Sequence, residues 1–501
     1  MDKRKRPNIL CFVADQMRYD HMGCAGNPIV KTPNIDAIAK RGLLFENAYV
    51  VNPTCMPSRV TLFTGTPPHI HGVRENGMPI DPATPVLPEA LRQAGYATYS
   101  SGKIHVNNFN AAEEFGLGLE NPSEENIRRF PECTTLWNSG VVKALPTPYY
   151  GFEKAKLVNG HTQYVFGDYI NWLEEQSPGA RKSLLPNHAL EPVTVPQTYK
   201  MSIPEELHYN RYIADTTIEY LEENSKKDQP FFIWCSFPDP HQPYAAPKPW
   251  CDMYRPEDMP LPVARREGEL DELPEFYRHF AENKTARWDG GSAWHSDDEV
   301  KTMIAMTYGM ISFMDQEIGR VMEKLAQCGE LENTVIVFLA DHGDMMGDHW
   351  LSRKGTFSFD GICKIPYIYS WPKKFTQGEK NRGITGQIDF VPTILGLCGA
   401  TMDVTMPGQS LAPVLEGNAD KVHDWTIIEN EVNNPNYRAR TMVTERYKIT
   451  VYAGRQYGEL FDLRSDPNEL YNLWNINKEL KRELLAQFMD AYLVWDSPIT
   501  I

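Results

Sequence analysis

Two apolar segments that lie far apart in the chain end in the same way. Residues 8–14 read NILCFVA and residues 334–340 read TVIVFLA, and each segment is followed at once by an aspartate, Asp15 or Asp341. Short uninterrupted apolar runs of this kind are typical of strands buried on both faces of a parallel sheet. Because ligands bind at the carboxyl ends of the strands in open α/β sheets, we expect both aspartates at one sheet edge.

The first 420 residues repeat a pattern of strand, loop and helix. Such alternation predicts an α/β fold with a large mixed, mostly parallel sheet sandwiched by helices. The predicted helices are residues 32–42, 57–63, 87–94, 204–222, 299–327 and 389–395, and the further predicted strands are residues 43–50, 96–100, 230–237 and 365–370. Residues 106–200 show weak periodicity and many Pro, Asn, Glu and aromatic residues, and we predict an irregular, substrate-selective insertion there.

The chain changes character at about residue 421. Short alternating strands are predicted over residues 426–430, 441–444, 448–451 and 460–463, followed by a helix over residues 478–495. We therefore predict two domains. A large α/β domain would take residues 1–420, and a small C-terminal α+β subdomain built on a short antiparallel sheet would take residues 421–501.

Composition argues against several classes of function. The 501 residues are 42% apolar, enough for a large core, and no uncharged apolar run is long enough to span a membrane. A net charge of −16 argues against nucleic acid as a partner. The basic first residues lead into residues 8–14 without a signal-peptide cleavage site, so we expect a cytoplasmic protein. The nine cysteines include no CxxC pair, which argues against a disulfide framework.

Short motifs give the strongest functional signal. Cys55 opens the segment CMPSR, which leads to LFTG at residues 62–65, and residues 95–105 read GYATYSSGKIH. Together with the two strands that end in aspartate, these blocks resemble, in content and order, the signatures of the formylglycine-dependent (type I) sulfatases of the alkaline phosphatase superfamily. The resemblance spans most of the chain. Met56 departs from it, since small residues are commoner after the cysteine in that family.

In that family the motif cysteine does not act as a thiol. The resemblance implies that a formylglycine-generating maturation enzyme oxidises Cys55 to an aldehyde, whose hydrate attacks the sulfur of a sulfate ester. The alcohol leaves, and the second hydroxyl of the hydrate then loses its proton, so that the aldehyde reforms and inorganic sulfate is released. A geminal diol is needed because an ordinary serine would stay sulfated.

The resemblance also implies a bound divalent metal ion at the sheet edge. Its ligands would be Asp15, Gln16, Asp341, His342 and the modified residue at position 55. The family favours Ca²⁺, and Mn²⁺ stays open because a histidine is a softer ligand than Ca²⁺ prefers. The alternative is that each aspartate only caps the helix that follows it.

Three residues would act next to position 55 if the family roles carry over. Arg59, one helical turn from Cys55, would hold the hydrated aldehyde, Lys103 would bind the sulfate, and His105 would take the proton in the elimination step. Lys103 and His105 alternate after a predicted strand, so they face the same side only if their segment is extended. The alternative for Lys103 is an ordinary surface lysine.

Three further residues are candidates for contact with the substrate. His241, in the segment Asp239-Pro240-His241, and Lys354 resemble the family residues near the leaving oxygen, where they would stabilise or protonate the alkoxide. Asn76 would contact the sulfate or the rest of the substrate. The alternative for His241 is a cap on a Pro-rich turn.

Two other functions stay open. Asp-Gln and Asp-His as the strand-end pairs also resemble those of the phosphonate monoester and phosphodiester hydrolases of the same superfamily, although the intact Gly-Lys-x-His favours a sulfatase. A non-catalytic, sulfatase-like binding protein would keep Cys55 as a thiol.

The sulfated alcohol is not fixed by the motifs. A small sugar sulfate is preferred, and alkyl sulfates such as choline sulfate and aryl sulfates also fit. Aromatic residues that could line such a pocket, or equally pack in the core, are Trp137, Tyr149, Tyr150 and Trp350.

Overall fold

The computed structural model describes residues 6–111, 123–282, 291–431 and 438–496. Its strands are β1 (Asn8–Ala14), β2 (Leu43–Phe45), β3 (Ala48–Tyr49), β4 (Ala97–Gly102), β5 (Lys154–Asn159), β6 (Phe166–Gly167), β7 (Thr198–Lys200), β8 (Phe231–Ser236), β9 (Tyr244–Ala246), β10 (Thr334–Ala340), β11 (Tyr367–Ser370), β12 (Glu379–Asn381), β13 (Thr385–Gly386), β14 (Trp425–Asn430), β15 (Ala439–Thr444), β16 (Tyr447–Tyr452) and β17 (Gly458–Asp462).

The α-helices of the same residues have the following bounds. They are α1 (Pro33–Lys40), α2 (Cys55–Thr64), α3 (Pro68–His71), α4 (Leu87–Gln93), α5 (Glu124–Arg129), α6 (Thr134–Asn138), α7 (Asp168–Gln176), α8 (Tyr209–Asn224), α9 (Phe276–Glu282), α10 (Asp297–Gln327), α11 (Asp360–Cys363), α12 (Phe390–Cys398), α13 (Ala412–Leu415) and α14 (Lys478–Asp496).

Nine of the described strands form one twisted sheet in the order β12-β2-β11-β10-β1-β8-β4-β5-β6. The five strands from β10 to β5 are mutually parallel, and antiparallel pairs lie on either side of them. This architecture confirms the predicted mixed, mostly parallel sheet. In the centre, Ala14 at the end of β1 pairs with Ala340 at the end of β10. Asp15 and Asp341 therefore leave the sheet side by side.

Helices cover the sheet. One group, α1, α8 and α10, packs together and against the strands, and a second group consists of α2, α4 and α12. Because every residue of β1 is buried, both faces of the sheet are covered at its centre. Among the described helices, none combines the length and the apolar character needed to cross a bilayer.

A small antiparallel sheet follows the main sheet. Its four strands run in the order β14-β15-β16-β17, beginning at Trp425. The terminal helix α14 packs on it through Leu484, Phe488, Ala491 and Trp495, residues that recur at the spacing of one helix face. The predicted C-terminal antiparallel sheet is confirmed.

Two local predictions were wrong. The segment 43–50 is not one strand, because β2 pairs with β12 in the main sheet whereas β3 pairs with β13 in a separate pair. The insertion at 106–200 is not wholly irregular, since β5 runs parallel to β4 in the main sheet. The first half of β5, from Lys154 to Lys156, is partly exposed and polar, so its apolar pattern is too short to identify a strand.

Candidate active site

Helix α2 carries Cys55 in its first turn, two residues before the predicted start of the helix. The preceding residue, Thr54, is extended, and the helix ends at Gly65, whose φ of 69° favours glycine. A Cβ at Gly65 would lie 2.5 Å from the sulfur of Met406, so the close packing there also requires glycine. The amino terminus of a helix favours negative charge, and residue 55 lies at that end.

Cys55 lies directly at the edge where the two aspartates leave the sheet. Its Sγ is 3.8 Å from Asp15 Oδ1 and 3.1 Å from His342 Nε2. Potential ligand atoms of Asp15, Cys55, Asp341 and His342 all lie within 4.8 Å of one another, and all four residues are buried. Segments separated by most of the chain are thus brought together around position 55.

Gln16 adds an amide oxygen to this group of potential ligands. Its backbone has a φ of 61°, and its amide N donates to Asp341 Oδ1 at 3.0 Å. The side-chain Nε2 donates to Asp344 Oδ2 at 2.6 Å, whereas Oε1 is buried without a hydrogen-bond partner in the described part of the chain. Two carboxylates, an imidazole and an unpartnered amide oxygen fit a divalent cation.

Arg59 joins the two acidic strand ends. Its Nε donates to Asp341 Oδ2 at 2.8 Å, and its Nη2 lies 3.6 Å from Asp15 Oδ2. Its Nη1 donates to the backbone oxygen of Lys103 at 3.0 Å. The guanidinium is fully buried, so it fixes the positions of the carboxylates as well as contributing charge.

Lys103 and His105 both reach the site, but not through an extended segment. The backbone bends at His105, which has a φ of 51°, so the predicted alternation is wrong. Lys103 Nζ contacts Asp15, and the His105 side chain forms a hydrogen bond with Cys55. The ring of His105 also stacks on Phe109 with centroids 4.4 Å apart. Because the backbone bends, the side chains of Lys103 and His105 both point into the site although their segment is not extended.

His241 and Lys354 form a second group of neighbours of Cys55. Lys354 Nζ is 3.0 Å from Cys55 Sγ, 3.0 Å from His241 Nε2 and 3.2 Å from His342 Nε2. Asp239 holds the His241 loop, since its carboxylate accepts hydrogen bonds from the Tyr209 hydroxyl and from Asn210, and its backbone oxygen accepts from the amide of Asp15.

Asn76 lies next to α2. Its Oδ1 accepts a hydrogen bond from the amide N of Met56 at 2.9 Å, which satisfies a free donor of the first helical turn. A contact between Asn76 and a substrate stays a prediction.

Two of the candidate aromatic residues, Trp137 and Tyr149, are held by hydrogen bonds inside the protein. Trp137 Nε1 donates to the backbone of Pro131, and the Tyr149 hydroxyl donates to the buried carboxylate of Glu132. Both side chains therefore pack inside the 106–200 segment.

The electrostatics of the site favour an anion at position 55. Burial by itself would raise the pKa of the Cys55 thiol, but the ammonium groups of Lys103 and Lys354 and the ring of His342 lower it well below its usual value. Burial also opposes the charge of Lys354, yet the negative charges of Cys55 and Asp15 raise the pKa of its ammonium.

The pKa values of the two strand-end aspartates shift in opposite directions. Burial would raise the pKa of Asp15, but the Lys103 ammonium holds it well below its usual value. For Asp341, burial and then the charge of Asp15 raise the pKa, and the Arg59 guanidinium only partly opposes them. Such a pair would ionise fully when a divalent cation lies between its members.

The sequence did not identify His161, Gln242 and Asp344 as neighbours of the site. His161 Nε2 lies 2.7 Å from Lys103 Nζ, Gln242 contacts the side chain of Gln16, and Asp344 accepts from both Gln16 and the Tyr244 hydroxyl. His161 follows β5 and so obeys the same rule as the two aspartates, because it lies just beyond a strand of the main sheet. It was missed because β5 was not recognised.

Comparison with known proteins agrees with this arrangement. The sulfatase family model matches residues 7–400, and a second model, N-sulphoglucosamine sulphohydrolase C-terminal, matches residues 347–492. An arylsulfatase of Clostridium perfringens is 30% identical over 491 residues, covering 95% of this chain and 92% of the relative. An N-acetylglucosamine-6-O-sulfatase of Bacteroides thetaiotaomicron is 25% identical over 515 residues, covering 96% and 85%.

Among solved structures, a phosphonate monoester hydrolase of Agrobacterium radiobacter superposes with a TM-score of 0.81 at 26% identity, covering 98% of this chain and 95% of that one. The family match over most of the chain and the 30% identical arylsulfatase are decisive, since both extend across the motifs and the site. The chain therefore belongs to the sulfatase family, within the alkaline phosphatase superfamily, and is a sulfuric ester hydrolase.

Proposed function

We propose that the protein hydrolyses a small sulfate ester to an alcohol and inorganic sulfate, with formylglycine derived from Cys55 as the nucleophile. The observation that carries this proposal is the environment of Cys55 Sγ. Lys354 Nζ and His342 Nε2 lie 3.0 and 3.1 Å from it, and the pKa of the group is lowered. A site that stabilises a thiolate equally stabilises the ionised hydroxyl of a hydrated aldehyde.

A divalent cation completes the proposed site. Asp15, Gln16, Asp341 and His342 would hold it together with residue 55, with Ca²⁺ favoured by the family and Mn²⁺ as the other candidate. When bound, the ion would favour ionisation of the hydroxyl at position 55 and neutralise one sulfate oxygen. The unpartnered Oε1 of Gln16 supports the inclusion of that residue.

The hydrated aldehyde would supply one hydroxyl that attacks sulfur and a second whose proton is removed to release sulfate. Lys103 and Lys354 hold the sulfate oxygens from two sides, and Arg59 keeps the carboxylates in place. His105 takes the proton of the second hydroxyl. Burial and the Lys103 charge lower the pKa of His105 to about 3, so the ring is neutral before the elimination step, whereas negative charge at position 55 opposes the shift and strengthens the ring as a base.

His241 and Lys354 act at the leaving oxygen. As the S–O bond to the alcohol breaks, the developing alkoxide would receive a proton from this pair, whose Nε2 and Nζ atoms lie 3.0 Å apart. Burial lowers the pKa of His241 well below its usual value, with His161 and Lys354 adding to the effect. The neutral ring therefore accepts a hydrogen bond from the Lys354 ammonium at Nε2 and holds it in place. Lys354 gives its proton to the alkoxide as the S–O bond breaks, and becomes neutral until solvent protonates it again.

A sulfated sugar is the preferred substrate class. The relative from Bacteroides thetaiotaomicron bears the name of a sugar sulfatase, and a solved structure of the same fold was obtained in complex with D-glucosamine-2-N,6-O-disulfate. The 106–200 segment would select the alcohol, because it contributes His161 at the opening of the site. A formylglycine-generating enzyme would be required to mature Cys55.

Phosphonate monoester hydrolysis is the second candidate. The TM-score of 0.81 to such an enzyme favours it, and so do the Asp-Gln and Asp-His pairs. The presence of Lys103 and His105 in the site favours the sulfate, because an added cation and base assist a substrate with a poor leaving group.

Turnover of a chromogenic aryl sulfate, phenyl phosphonate monoester, choline sulfate and a panel of sulfated monosaccharides tests the proposal. The matured wild-type enzyme should give a higher kcat/KM on a sulfate ester than on the phosphonate, and a Cys55→Ala variant should have neither activity. A preference for the phosphonate, or turnover by the Cys55→Ala variant, would overturn it.

A further inference from the structure

One histidine in the site has no role in the proposed reaction. His161 belongs to the 106–200 segment and follows β5 at the same edge of the sheet as the strand-end aspartates. Its side chain is 14% exposed, whereas Asp15, Lys103 and Arg59 are fully buried. It therefore lies at the opening of the site, between the interior and the outside.

The edge of the His161 ring contacts Lys103. Nε2 lies 2.7 Å from Lys103 Nζ and 3.4 Å from Asp15 Oδ2. A lysine ammonium only donates hydrogen bonds, so His161 Nε2 accepts at the shorter contact and the ring proton is on Nδ1. His161 and Asp15 thus hold the ammonium from two directions, which fixes where Lys103 meets a sulfate oxygen.

The face of the same ring contacts His241. The two imidazoles are stacked with centroids 3.5 Å apart and an interplanar angle of 7°. The edge of His241 is fixed at both nitrogens, since Nδ1 contacts the backbone oxygen of Gln242 and Nε2 contacts Lys354. The stack closes one face of His241 and keeps its ring plane in the direction of the leaving oxygen.

Hydrogen bonds of its neighbours in the chain connect His161 to the loop that carries His241 and to the segment that carries Lys103 and His105. The neighbouring Thr162 donates through Oγ1 to the backbone oxygen of Pro243 at 2.6 Å, next to the His241 loop. Asn159 accepts through Oδ1 from the amide of Ile104 at 3.2 Å, between Lys103 and His105. The Glu132 carboxylate accepts in turn from Asn159 and from the amide of Val106.

We propose that His161 is a positioning residue with two separate functions, one for each side of its ring. The Nε2 atom orients the Lys103 ammonium toward the sulfate, and the ring face orients His241 toward the leaving alcohol. The proposal rests on the proposed function of the site. It assigns to the 106–200 segment a part in the reaction besides the choice of substrate.

Two substitutions separate the two functions. His161→Phe keeps an aromatic face for His241 but removes the acceptor for Lys103. We expect kcat/KM to fall about tenfold, by the same factor for an alkyl sulfate and for an activated aryl sulfate, because sulfate binding is common to both. His161→Gln keeps an acceptor at the position of Nε2 near Lys103 but removes the stacked ring. We expect about a tenfold loss for the alkyl sulfate and little loss for the aryl sulfate.

His188 provides the matched control, because it is an exposed histidine of the same segment. His188→Phe and His188→Gln should leave both activities unchanged. The proposal would be overturned if the second variant, like His161→Phe, lost the same factor on the alkyl sulfate as on the aryl sulfate. It would also be overturned if neither His161 variant lost activity.

A crystal structure of each variant gives a readout independent of activity. The His241 ring plane should be kept in the His161→Phe enzyme and rotated in the His161→Gln enzyme, and an unmoved ring in both contradicts the stacking function. Failure of the proposed function would appear differently, as a wild-type enzyme without sulfate ester hydrolysis, and the ring orientation would still decide the role of His161.

Discussion

Two largely buried charge clusters in this fold use the same kinds of side chain differently. The site cluster surrounds Cys55 at the edge of the main sheet. The junction cluster consists of Lys448, Asp360 and Glu469, where the small C-terminal sheet meets α11. In the junction cluster Lys448 Nζ contacts Asp360 and lies 2.6 Å from Glu469, and the amide of Asp360 donates to Glu469 at 2.7 Å.

The difference lies in what surrounds each lysine. Lys448 is 1% exposed and has two carboxylates as partners, so its charge is neutralised within the protein. Within the described residues, Lys354 Nζ has the sulfur of Cys55 and two imidazoles at hydrogen-bond distance but no carboxylate. A partly buried cation that contacts no carboxylate directly is retained where an anionic group binds. We therefore read the site cluster as functional and the junction cluster as structural.

The largest expected effect concerns the nucleophile at position 55. Cys55→Ser should abolish steady turnover of every sulfate ester, because a serine ester of sulfate has no second hydroxyl to expel the sulfate. Intact-protein mass after incubation with an aryl sulfate should show a sulfated serine. Appreciable steady turnover by this variant would refute the elimination step.

A matched pair of lysine substitutions directly tests the different roles assigned to the two clusters. Lys354→Met should lower kcat by about two to three orders of magnitude and leave unfolding by urea nearly unchanged. Lys448→Met should lower the free energy of unfolding by about 3–5 kcal/mol, because it leaves the buried Glu469 carboxylate without its cation and removes the nearer cation of the partly exposed Asp360, while kcat of the folded fraction stays unchanged. The opposite pattern would mean that the two clusters have been assigned the wrong way round.

The next effect is selective for the leaving group. His241→Ala should lower kcat about a hundredfold for alkyl sulfates and much less for activated aryl sulfates, because only an alkoxide of high basicity needs a proton as it leaves. Steady-state rates on a series of sulfates with graded leaving groups measure this dependence. Equal losses along the series would remove His241 from the leaving oxygen.

The smallest effect is on stability and depends on pH. Burial raises the pKa of Glu132, which holds the backbone next to His105, to about 7. At a pH between the pKa of Glu132 in the unfolded chain and this raised value, the folded state binds a proton that the unfolded chain has released. The free energy of unfolding should therefore fall as the pH rises from 5 to 8, by about 3 kcal/mol for this group.

Glu132→Gln isolates that contribution. The glutamine oxygen can still accept from the amide of Val106 and from the Tyr149 hydroxyl, its NH2 group takes the place of the oxygen that faces Asn159, and the side chain does not titrate. The difference in urea unfolding free energy between wild type and variant should change across this pH range, and a constant difference would show that Glu132 keeps its charge when folded.

The main features of the site were predictable because their signals are local. Each strand-end aspartate follows an apolar run, and Cys55 and Lys103 lie in short motifs, so each could be identified from its own segment. Their meeting follows from the rule for parallel sheets and needed no long-range information.

The remaining features depend on tertiary contacts. His161 was missed because β5 is half-exposed and carries lysines where a buried strand carries apolar residues. The bend at His105 depends on two contacts. Gly102 has a φ of 102° and lies so close to Ser236 that a Cβ would be 1.8 Å from the Ser236 oxygen. The amide of Val106 donates to the Glu132 carboxylate. The opposite pKa shifts of Asp15 and Asp341 depend on tertiary contacts as well, since burial and the charge of Asp15 raise the pKa of Asp341, whereas the Lys103 ammonium lowers that of Asp15.

The central claim is that position 55 reacts as an oxidised side chain held among these cations. Its most direct test is the rate of aryl sulfate hydrolysis measured on preparations that differ in the fraction of residue 55 present as the aldehyde, determined by peptide mass. The rate should rise in proportion to that fraction and vanish in thiol-only protein. A rate that does not depend on the aldehyde would contradict the account.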